Sequence, residues 1–244
     1  MSDLPYSTII VSGNDAFDFL QAQLASDLES VRGDTQLSQV HPAQQERITL
    51  SKSILSTWCN PKGRVICLLR VSKIDDEYRL ALPTELVDEV VQRLMMFRFR
   101  AKVDFEVQDA TQEQLGMEGS FEEWQLGNLR AGIPEIIKAQ SEQFTPHMLN
   151  LDLLGAVSID KGCYPGQEIV ARTHFRGATK RRCLRFESTN AVSPGDKVSA
   201  GERDVGEVLN AICNDLLAIV PLDMANQHLK VGSAELRHLT LPYQ

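Results

Sequence analysis

The segment from Asp160 to Arg182 concentrates the side chains of this sequence that could do chemistry, and it reads DKGCYPGQEIVARTHFRGATKRR. A single thiol, that of Cys163, stands among glycines, a proline and several basic residues. Pro165 suits the first turn of a helix, because its φ is fixed near the helical value and its missing N–H would be unpaired there in any case. We therefore predict a short helix that begins just after Pro165.

That predicted helix decides what Cys163 could do. The start of a helix presents unpaired N–H groups and the positive end of a dipole, and both favour an anion such as a thiolate. Lys161 would add positive charge beside the thiol, whereas Glu168 would oppose it. Cys163 is then either a nucleophilic or metal-binding thiol or a small buried hydrophobic residue, and the local sequence leaves both readings open.

No partner for a metal site or a nucleophile pair lies at a motif spacing from Cys163. The chain has five cysteines and no C-x-x-C pair, so we expect free thiols rather than a disulfide framework or a zinc site. His174 is the nearest imidazole, and a structural or solvated histidine is its favoured interpretation. We therefore predict no metal site.

A basic cluster follows the cysteine with no acid inside it, and consists of Arg172, Arg176, Lys180, Arg181, Arg182 and Arg185. The whole chain carries a formal net charge of −8, so indiscriminate nucleic-acid binding is not expected, and direct DNA binding with it. The cluster is either a solvated edge or a site for a polyanionic partner. No apolar run is long enough to cross a membrane and no signal-peptide pattern is present, so we expect a cytoplasmic protein.

Local patterns predict the strands that position this segment, from β-branched content and alternation. The turn sequence NPKG at residues 60–63 would join two of them as a hairpin. Together with the intervening helices they indicate an α+β sandwich with an antiparallel sheet covered on one side. The predicted strands are Tyr6–Ser12, Ile48–Thr57, Arg64–Ser72, Glu77–Leu82 and Lys102–Val107.

Two amphipathic helices are predicted between these strands. Asn14 would cap the first helix and Thr84 the second. In each helix the apolar residues recur at a spacing of three to four, which is typical of a core-facing stripe. The stripes are Phe17, Leu20, Leu24 and Leu28 in the first helix, and Val87, Val90, Val91, Leu94 and Phe97 in the second.

The pattern changes after Thr179, where short strands separated by turn residues predict a small β-barrel or sandwich. We place a domain boundary near Thr179–Arg181. The predicted strands of this part are Cys183–Glu187, Lys197–Ser199, Val205–Ile212 and Leu216–Val220.

The motif Lys161-Gly162-Cys163-Tyr164-x-Gly166-Gln167-Glu168 resembles that of the folate-binding YgfZ family, whose members are also called tRNA-modifying proteins and are linked to iron–sulfur cluster maintenance. That family is related to the glycine-cleavage T-protein, an aminomethyltransferase. The resemblance extends over most of the chain. Further matching segments are Gly13-x-Asp15, Gln21-x-Gln23 with Asp27, Lys62-Gly63, Gly132-Ile133-Pro134, Phe144-x-Pro146, Asn150-Leu151, Phe175-Arg176-Gly177-Ala178-x-Lys180-Arg181 and Leu241-Pro242-Tyr243.

The resemblance implies intertwined T-protein-like α+β domains with a small C-terminal β-barrel. Residues 1–180 would form the folate-binding region, with two interleaved subdomains, about 1–45 plus 110–180 around 46–109, and residues 181–244 would form the barrel. Longer members of the family carry an extra segment between the strand that ends near Val107 and Trp124. Here only residues 108–123 join them, so the central domain is expected to be reduced.

The resemblance also implies a cofactor and its site. Tetrahydrofolate or a derivative, with or without a polyglutamate tail, is the expected ligand. Its flat rings and anionic tail require aromatic faces, hydrogen-bonding groups and positive charge. Cys163 is the expected functional thiol, and Tyr6 stands where the family has a second tryptophan. The expected cofactor-binding residues are Tyr6, Trp124, Lys161, Tyr164, Gln167, Glu168, Arg172 and Arg176.

Three functions compete. The favoured one is a folate-binding accessory protein, rather than a classical turnover enzyme, that supports the assembly or repair of iron–sulfur enzymes, including those that thiolate tRNA. The second is a folate-dependent aminomethyl- or methyltransferase; such enzymes have aspartates on the strand after the glycine turn, where this chain reads RVICLL from Arg64 and offers no carboxylate for proton transfer. The third is a docking module without folate, which would use the strip from Arg172 to Arg185.

Overall fold

The structure is a computed structural model that describes residues 4–32, 53–177 and 179–243. The chain divides into two compact units, which we call the sheet unit and the barrel unit. The sheet unit comprises Met1–Glu118, Ile136–Pro146 and Leu151–Arg172, and the barrel unit comprises Gly119–Glu135, His147–Asn150 and Thr173–Gln244.

A five-stranded antiparallel sheet organises the sheet unit, in the order β2-β3-β4-β1-β5. The strands are β1 Tyr6–Ser12, β2 Ser53–Cys59, β3 Val65–Ile74, β4 Glu77–Pro83 and β5 Asp104–Asp109. The strand predictions are confirmed, although β5 begins at Asp104 instead of Lys102, and the predicted strand residues 48–52 lie outside the described part of the chain. Because β1 pairs with β4 on one side and β5 on the other, the first strand of the chain is an inner strand.

Two helices close the core of the sheet unit, α1 Ala16–Gln23 and α3 Thr84–Phe97. The predicted inner face of α3 is confirmed at three positions, since Val87, Val90 and Leu94 are buried, whereas Phe97 at the helix end is 39% exposed. Shorter helices are α2 Glu29–Arg32 and α4 Gln112–Leu115, and a 3₁₀ turn lies at Lys138–Gln140.

The first helix is shorter than its apolar stripe predicted. Leu24 follows α1 in an extended conformation and forms an isolated antiparallel bridge with Trp58 of β2. The N–H of Ala25 then donates to the carbonyl oxygen of Thr57 at 2.7 Å, so the chain after Gln23 pairs with a strand instead of continuing the helix. Leu24 and Leu28 are nevertheless fully buried, because the bend keeps both side chains on the core.

The predicted caps are corrected by the structure. Asp15 rather than Asn14 precedes α1, and its carboxylate makes no cap hydrogen bond but accepts one from the backbone N–H of Lys102 at 2.7 Å. Pro83 occupies the cap position of α3, and the hydroxyl of Thr84 instead forms a 3.0 Å hydrogen bond with that of Ser7. At Thr84, a contact with a residue distant in sequence therefore takes the side chain that local sequence assigned to capping.

A closed barrel of six strands forms the core of the barrel unit, in the order β10-β11-β6-β9-β8-β7. Its strands are β6 Arg181–Ser188, β7 Lys197–Ala200, β8 Arg203–Ile212, β9 Asp215–Pro221, β10 Leu229–Val231 and β11 Ala234–Leu239. The four predicted strands are confirmed and the last two were missed. Strand β10 is only three residues long, whereas the alternation of apolar and charged residues in β11, AELRHL, is typical of a strand and could have predicted it. An α+β fold with a small C-terminal barrel is thereby confirmed.

The barrel begins at Arg181, but the barrel unit also contains earlier segments of the chain. Helix α5 Phe121–Arg130 belongs to it and starts with a capping box between Ser120 and Glu123. A 3₁₀ turn lies at Leu222–Met224. The predicted division at residue 180 and the interleaved subdomains stay a prediction. Among the described residues, no helix is both long and apolar enough to span a bilayer.

Candidate functional site

The Cys163 thiol is exposed in the structure. It lies in a loop of the sheet unit, just before helix α6 Gln167–Arg176, so the predicted helix after Pro165 is confirmed and extends further than expected. The interpretation of Cys163 as a small buried hydrophobic residue is wrong. A thiol displayed in a loop is accessible to a reagent or partner.

Cys163 differs in exposure from three of the other four cysteines. Cys59, Cys67 and Cys183 are buried, and this burial raises the pKa of the Cys59 and Cys183 thiols to about 12 and that of Cys67 further. Cys213, in the barrel unit, is also exposed and lies 3.8 Å from a carboxylate oxygen of Glu122. Three of the five thiols are thus kept protonated and inaccessible.

The Cys163 loop packs against the hairpin turn between β2 and β3. Gly166 adopts φ +82, and a Cβ atom there would lie 2.5 Å from the carbonyl oxygen of Asn60 and 2.8 Å from the Cα of Gly63. Gly63 itself adopts φ +67 and faces the side chain of Ile169 in α6. Only glycine allows two backbones to approach this closely, so the two glycine motifs recognised in the sequence form one packed contact.

The hairpin turn is itself held by polar contacts that the sequence did not reveal. The side-chain oxygen of Asn60 accepts hydrogen bonds from the N–H groups of Lys62 and Arg64 at 2.9 and 3.0 Å. Its amide group donates to Glu142 at 3.0 Å, and Arg93 of α3 also donates to Glu142. Burial alone would raise the pKa of the Glu142 carboxyl, but these hydrogen bonds hold it below its usual range.

Lys161 is turned into the sheet unit. Its ammonium group donates to three backbone carbonyl oxygens, those of Gln21 at 2.6 Å, Leu24 at 2.7 Å and Ser26 at 2.9 Å. Burial lowers the pKa of Lys161 to about 8, partly opposed by the negative charge of Asp27. An ammonium group has three N–H donors, so all three are used inside the protein.

Tyr164 and Gln167 also face the interior of the loop. Tyr164 is buried, its ring lies 5.5 Å from the Lys161 ammonium, and burial raises its pKa. The side-chain amide of Gln167 donates to the carbonyl oxygen of Lys161 at 3.0 Å. Two of the predicted cofactor-binding residues therefore shape the loop around Cys163, whereas Glu168 is exposed in the first turn of α6.

The basic cluster divides into two groups. In the barrel unit, Arg181 donates to the carbonyl oxygen of Val205 at 3.0 Å, Arg182 donates to that of His147 at 3.1 Å, and Arg185 forms an ion pair with Asp215 at 2.5 Å. These three arginines have structural partners. Arg182 and Arg185 are half-buried, whereas Arg172, Arg176, Lys180 and Arg181 are exposed, so the predicted basic strip keeps four of its six residues at the surface.

The predicted aromatic residues lie in different environments. Tyr6 opens β1 in the sheet unit and is 7% exposed. Trp124 lies in α5 of the barrel unit, half-buried, and stacks on Phe121 with ring centroids 5.6 Å apart. Trp124 therefore keeps part of its ring at the surface, which a stacking contact with a ligand requires.

No protein-family model matches the chain. Among solved structures, the chain is similar to the glycine cleavage system aminomethyltransferase T of Bartonella henselae, with a TM-score of 0.66 and 12% identity, over 98% of this chain and 84% of that one. The fold is therefore that of the aminomethyltransferase T proteins.

Sequence relatives are more specific. The chain is 34% identical to the tRNA-modifying protein YgfZ of Klebsiella pneumoniae over 188 residues, 67% of this chain and 58% of that protein. It is 40% identical to the YgfZ of an Enterobacter strain over 141 residues, 52% of this chain and 43% of that protein. An uncharacterized protein of Haemophilus influenzae is 25% identical over 98% of this chain and 95% of its own length.

The chain is thus a relative of the YgfZ proteins with a T-protein fold, and the resemblance drawn from the motif around Cys163 is confirmed. The alignments span about half the length of those YgfZ relatives.

Proposed function

We propose that this protein is a folate-binding accessory protein that supports the assembly or repair of iron–sulfur enzymes, including enzymes that modify tRNA, and that Cys163 is its functional thiol. The observation that carries the proposal is the exposed Cys163, held in a loop that packs on a conformationally restricted hairpin turn. A buried cysteine could serve packing alone, whereas an exposed thiol on a fixed loop is suited to reaction with a partner. The sequence similarity to proteins named tRNA-modifying supports the part of the proposal that concerns tRNA modification.

Tetrahydrofolate is the proposed cofactor, and the described residues fit parts of it. In the barrel unit, the half-exposed ring of Trp124 suits a flat pterin or aminobenzoyl ring. In the sheet unit, Glu168 offers an exposed carboxylate that can accept hydrogen bonds. Exposed Arg172 and Arg176 suit the anionic glutamate tail. Lys161 has its three donors engaged, so we assign it to the loop instead of the tail.

Bound tetrahydrofolate would supply a carrier for a one-carbon unit. The residues of this chain would hold its rings and tail. The Cys163 thiol would provide a nucleophile. We propose no covalent step between the two.

A folate-dependent transferase is the second candidate, favoured by the aminomethyltransferase fold. Strand β3, VICLLRVSKI, contains no carboxylate along its ten residues, so it lacks the aspartate that aminomethyltransferases carry there, and general acid–base catalysis is usually worth about 10²–10⁴-fold in rate. A transfer assay with an aminomethylated carrier protein tests it: turnover would establish this candidate over the accessory function.

The experiment that tests the thiol is complementation. The wild-type protein should restore the activity of iron–sulfur enzymes in a strain that lacks the corresponding gene, and the Cys163→Ala variant should not. Cys213→Ala is the matched control, because it removes the other exposed thiol and should complement fully. Full rescue by a folded Cys163→Ala variant would exclude the thiol assignment.

A further inference from the structure

We propose that Lys161 is the positioning residue of the Cys163 thiol, because its ammonium group pins the loop of residues 158–167 to the end of helix α1. The inference rests on the proposed function, since it treats Cys163 as the functional group. It assigns to Lys161 an internal role that differs from binding the anionic tail of a cofactor.

The end of α1 needs the partner that Lys161 provides. In a continuing helix the N–H groups of Ala25 and Leu28 would donate to the carbonyls of Gln21 and Leu24. Here the N–H of Ala25 donates to Thr57 instead, and that of Leu28 donates to the side-chain oxygen of Gln21 at 2.9 Å. The two carbonyls are left at the negative end of the helix dipole, where a cation is favoured.

The ammonium of Lys161 occupies that position. It donates hydrogen bonds to the carbonyl oxygens of Gln21, Leu24 and Ser26, at 2.6, 2.7 and 2.9 Å. A methyl or an amide in its place would leave at least one of the three without a donor. The Asp27 carboxylate interacts electrostatically with the ammonium, and the neutral ring of Tyr164 lies 5.5 Å from it.

Two further hydrogen bonds fix the loop on either side of the thiol. The N–H of Ser158 donates to the carbonyl oxygen of Ala25 at 2.8 Å, before Cys163 in sequence. The Gln167 side chain donates to the carbonyl oxygen of Lys161 at 3.0 Å, after it. Cys163 therefore lies between two residues that are held by hydrogen bonds, Ser158 and Gln167. Lys161 takes part in two contacts of the loop: its ammonium bonds to the end of α1, and its carbonyl oxygen accepts the bond from Gln167.

The first test uses the wild-type protein. Reductive methylation of lysines at pH 7, followed by mass spectrometry of peptides, measures how accessible each amine is. We expect Lys161 to be methylated at least tenfold more slowly than Lys102, which is exposed in the same unit. A pKa of about 8 leaves more neutral amine at Lys161 than at an ordinary lysine at pH 7, so only occlusion of the amine can make its methylation slow. A higher rate at Lys161 than at Lys102 would overturn the proposal, and no variant has to fold for this result.

The second test asks whether Lys161 acts on the thiol. Lys161→Met removes the donors at a similar side-chain length, and Lys102→Met removes one ammonium from the same unit as the control. Hydrogen exchange of the segment 156–167 should become at least tenfold faster in Lys161→Met, and the rate in the barrel strands should not change. Wild-type exchange in that segment of a folded Lys161→Met protein would contradict the proposal.

Alkylation gives the readout at the thiol itself. The rate of iodoacetamide reaction at Cys163 should shift at least threefold in Lys161→Met, towards the rate of a free peptide with the sequence of residues 160–167. Cys213, in the barrel unit, is the internal control and should keep its rate. A loss of overall stability would change the alkylation rates of both thiols or of neither, so a change at Cys163 alone indicates a local effect. An unchanged alkylation rate at Cys163 would overturn the positioning role.

These tests distinguish a failure of the positioning role from a failure of the proposed function. If Cys163→Ala complements fully, the thiol assignment fails, while methylation and exchange still decide whether Lys161 pins the loop. If Cys163→Ala fails to complement and the loop is unchanged in Lys161→Met, the positioning role alone is excluded.

Discussion

Gly166 and Gly63 meet backbone to backbone: a Cβ atom added at Gly166 would lie 2.8 Å from the Cα of Gly63 and 2.5 Å from the carbonyl oxygen of Asn60. Gly166 belongs to the motif of Cys163, and Gly63 to the hairpin turn that follows β2. Their contact joins the thiol loop to the sheet, so the geometry of the site depends on two residues that carry no side chain.

Gly166→Ala should destabilise the protein by about 2 to 4 kcal/mol, because the new methyl group would collide with backbone atoms at a positive φ. Gly177→Ala is the matched control, since Gly177 also has a positive φ, +58, but open space around its Cβ position, and it should cost only about 1 to 2 kcal/mol. Urea unfolding followed by circular dichroism measures both. Equal losses for the two variants would show that the Gly166–Gly63 contact is not close in solution.

Thiol titration should count two reactive cysteines in the folded protein and five in the unfolded one. Cys163 and Cys213 are exposed, and Cys59, Cys67 and Cys183 are buried. Burial keeps a thiol protonated and away from the reagent. Ellman's reagent at pH 8, with and without guanidinium, measures the numbers, and Cys163→Ser and Cys213→Ser should each remove one fast thiol. A slow Cys163 would contradict its exposed position.

Stability should depend on pH through Lys161 in a defined direction. The pKa of Lys161 is lowered in the folded protein to about 8, from an ordinary value of 10.5, so between these values the unfolded state binds more protons. The free energy of unfolding of the wild type should therefore rise with pH from about 8 to 10.5, relative to Lys161→Met, by about 1 to 2 kcal/mol after allowance for solvent screening.

Urea titrations of both proteins at several pH values measure this difference. The buried thiols have raised pKa values and act in the opposite direction, but they are common to both proteins and cancel. A difference that falls with pH would mean that the three carbonyl hydrogen bonds outweigh burial and raise the Lys161 pKa.

Folate binding should depend on the ring of Trp124. Under anaerobic conditions, calorimetric titration with tetrahydrofolate should show saturable binding that weakens about two- to tenfold in Trp124→Ala, since a lost aromatic contact is worth about 0.5 to 1.5 kcal/mol. Trp124→Phe keeps an aromatic face and should retain most of the affinity. Quenching of the wild-type fluorescence should arise from Trp124, because Trp58 is buried.

Absence of binding at millimolar tetrahydrofolate would exclude the folate proposal and favour the docking module. In that case the exposed Arg172, Arg176 and Lys180 would be the residues to test with polyanionic partners, at several salt concentrations.

Local sequence predicted much of the fold because the strands carry their own signal. Residues Tyr6–Ser12 and Glu77–Leu82 alternate or are β-branched, and each forms a strand as predicted. The NPKG turn also needs no distant partner, since proline and glycine restrict their own backbone. The motif around Cys163 was sufficient to recognise a relative of the YgfZ proteins, because its residues are consecutive in the chain.

Tertiary structure alone decided where α1 ends, since the amide of Ala25 bonds to Thr57, a residue 32 positions later in the chain. It decided the role of Lys161, which the sequence predicted as a charge beside the thiol and a cofactor-binding residue, but whose three donors bond to carbonyls 135 to 140 residues earlier. It also paired Arg181, Arg182 and Arg185 inside the barrel unit. Sequence determines what a side chain can donate or accept, but the acceptors it meets are brought near by folding, which no local pattern encodes.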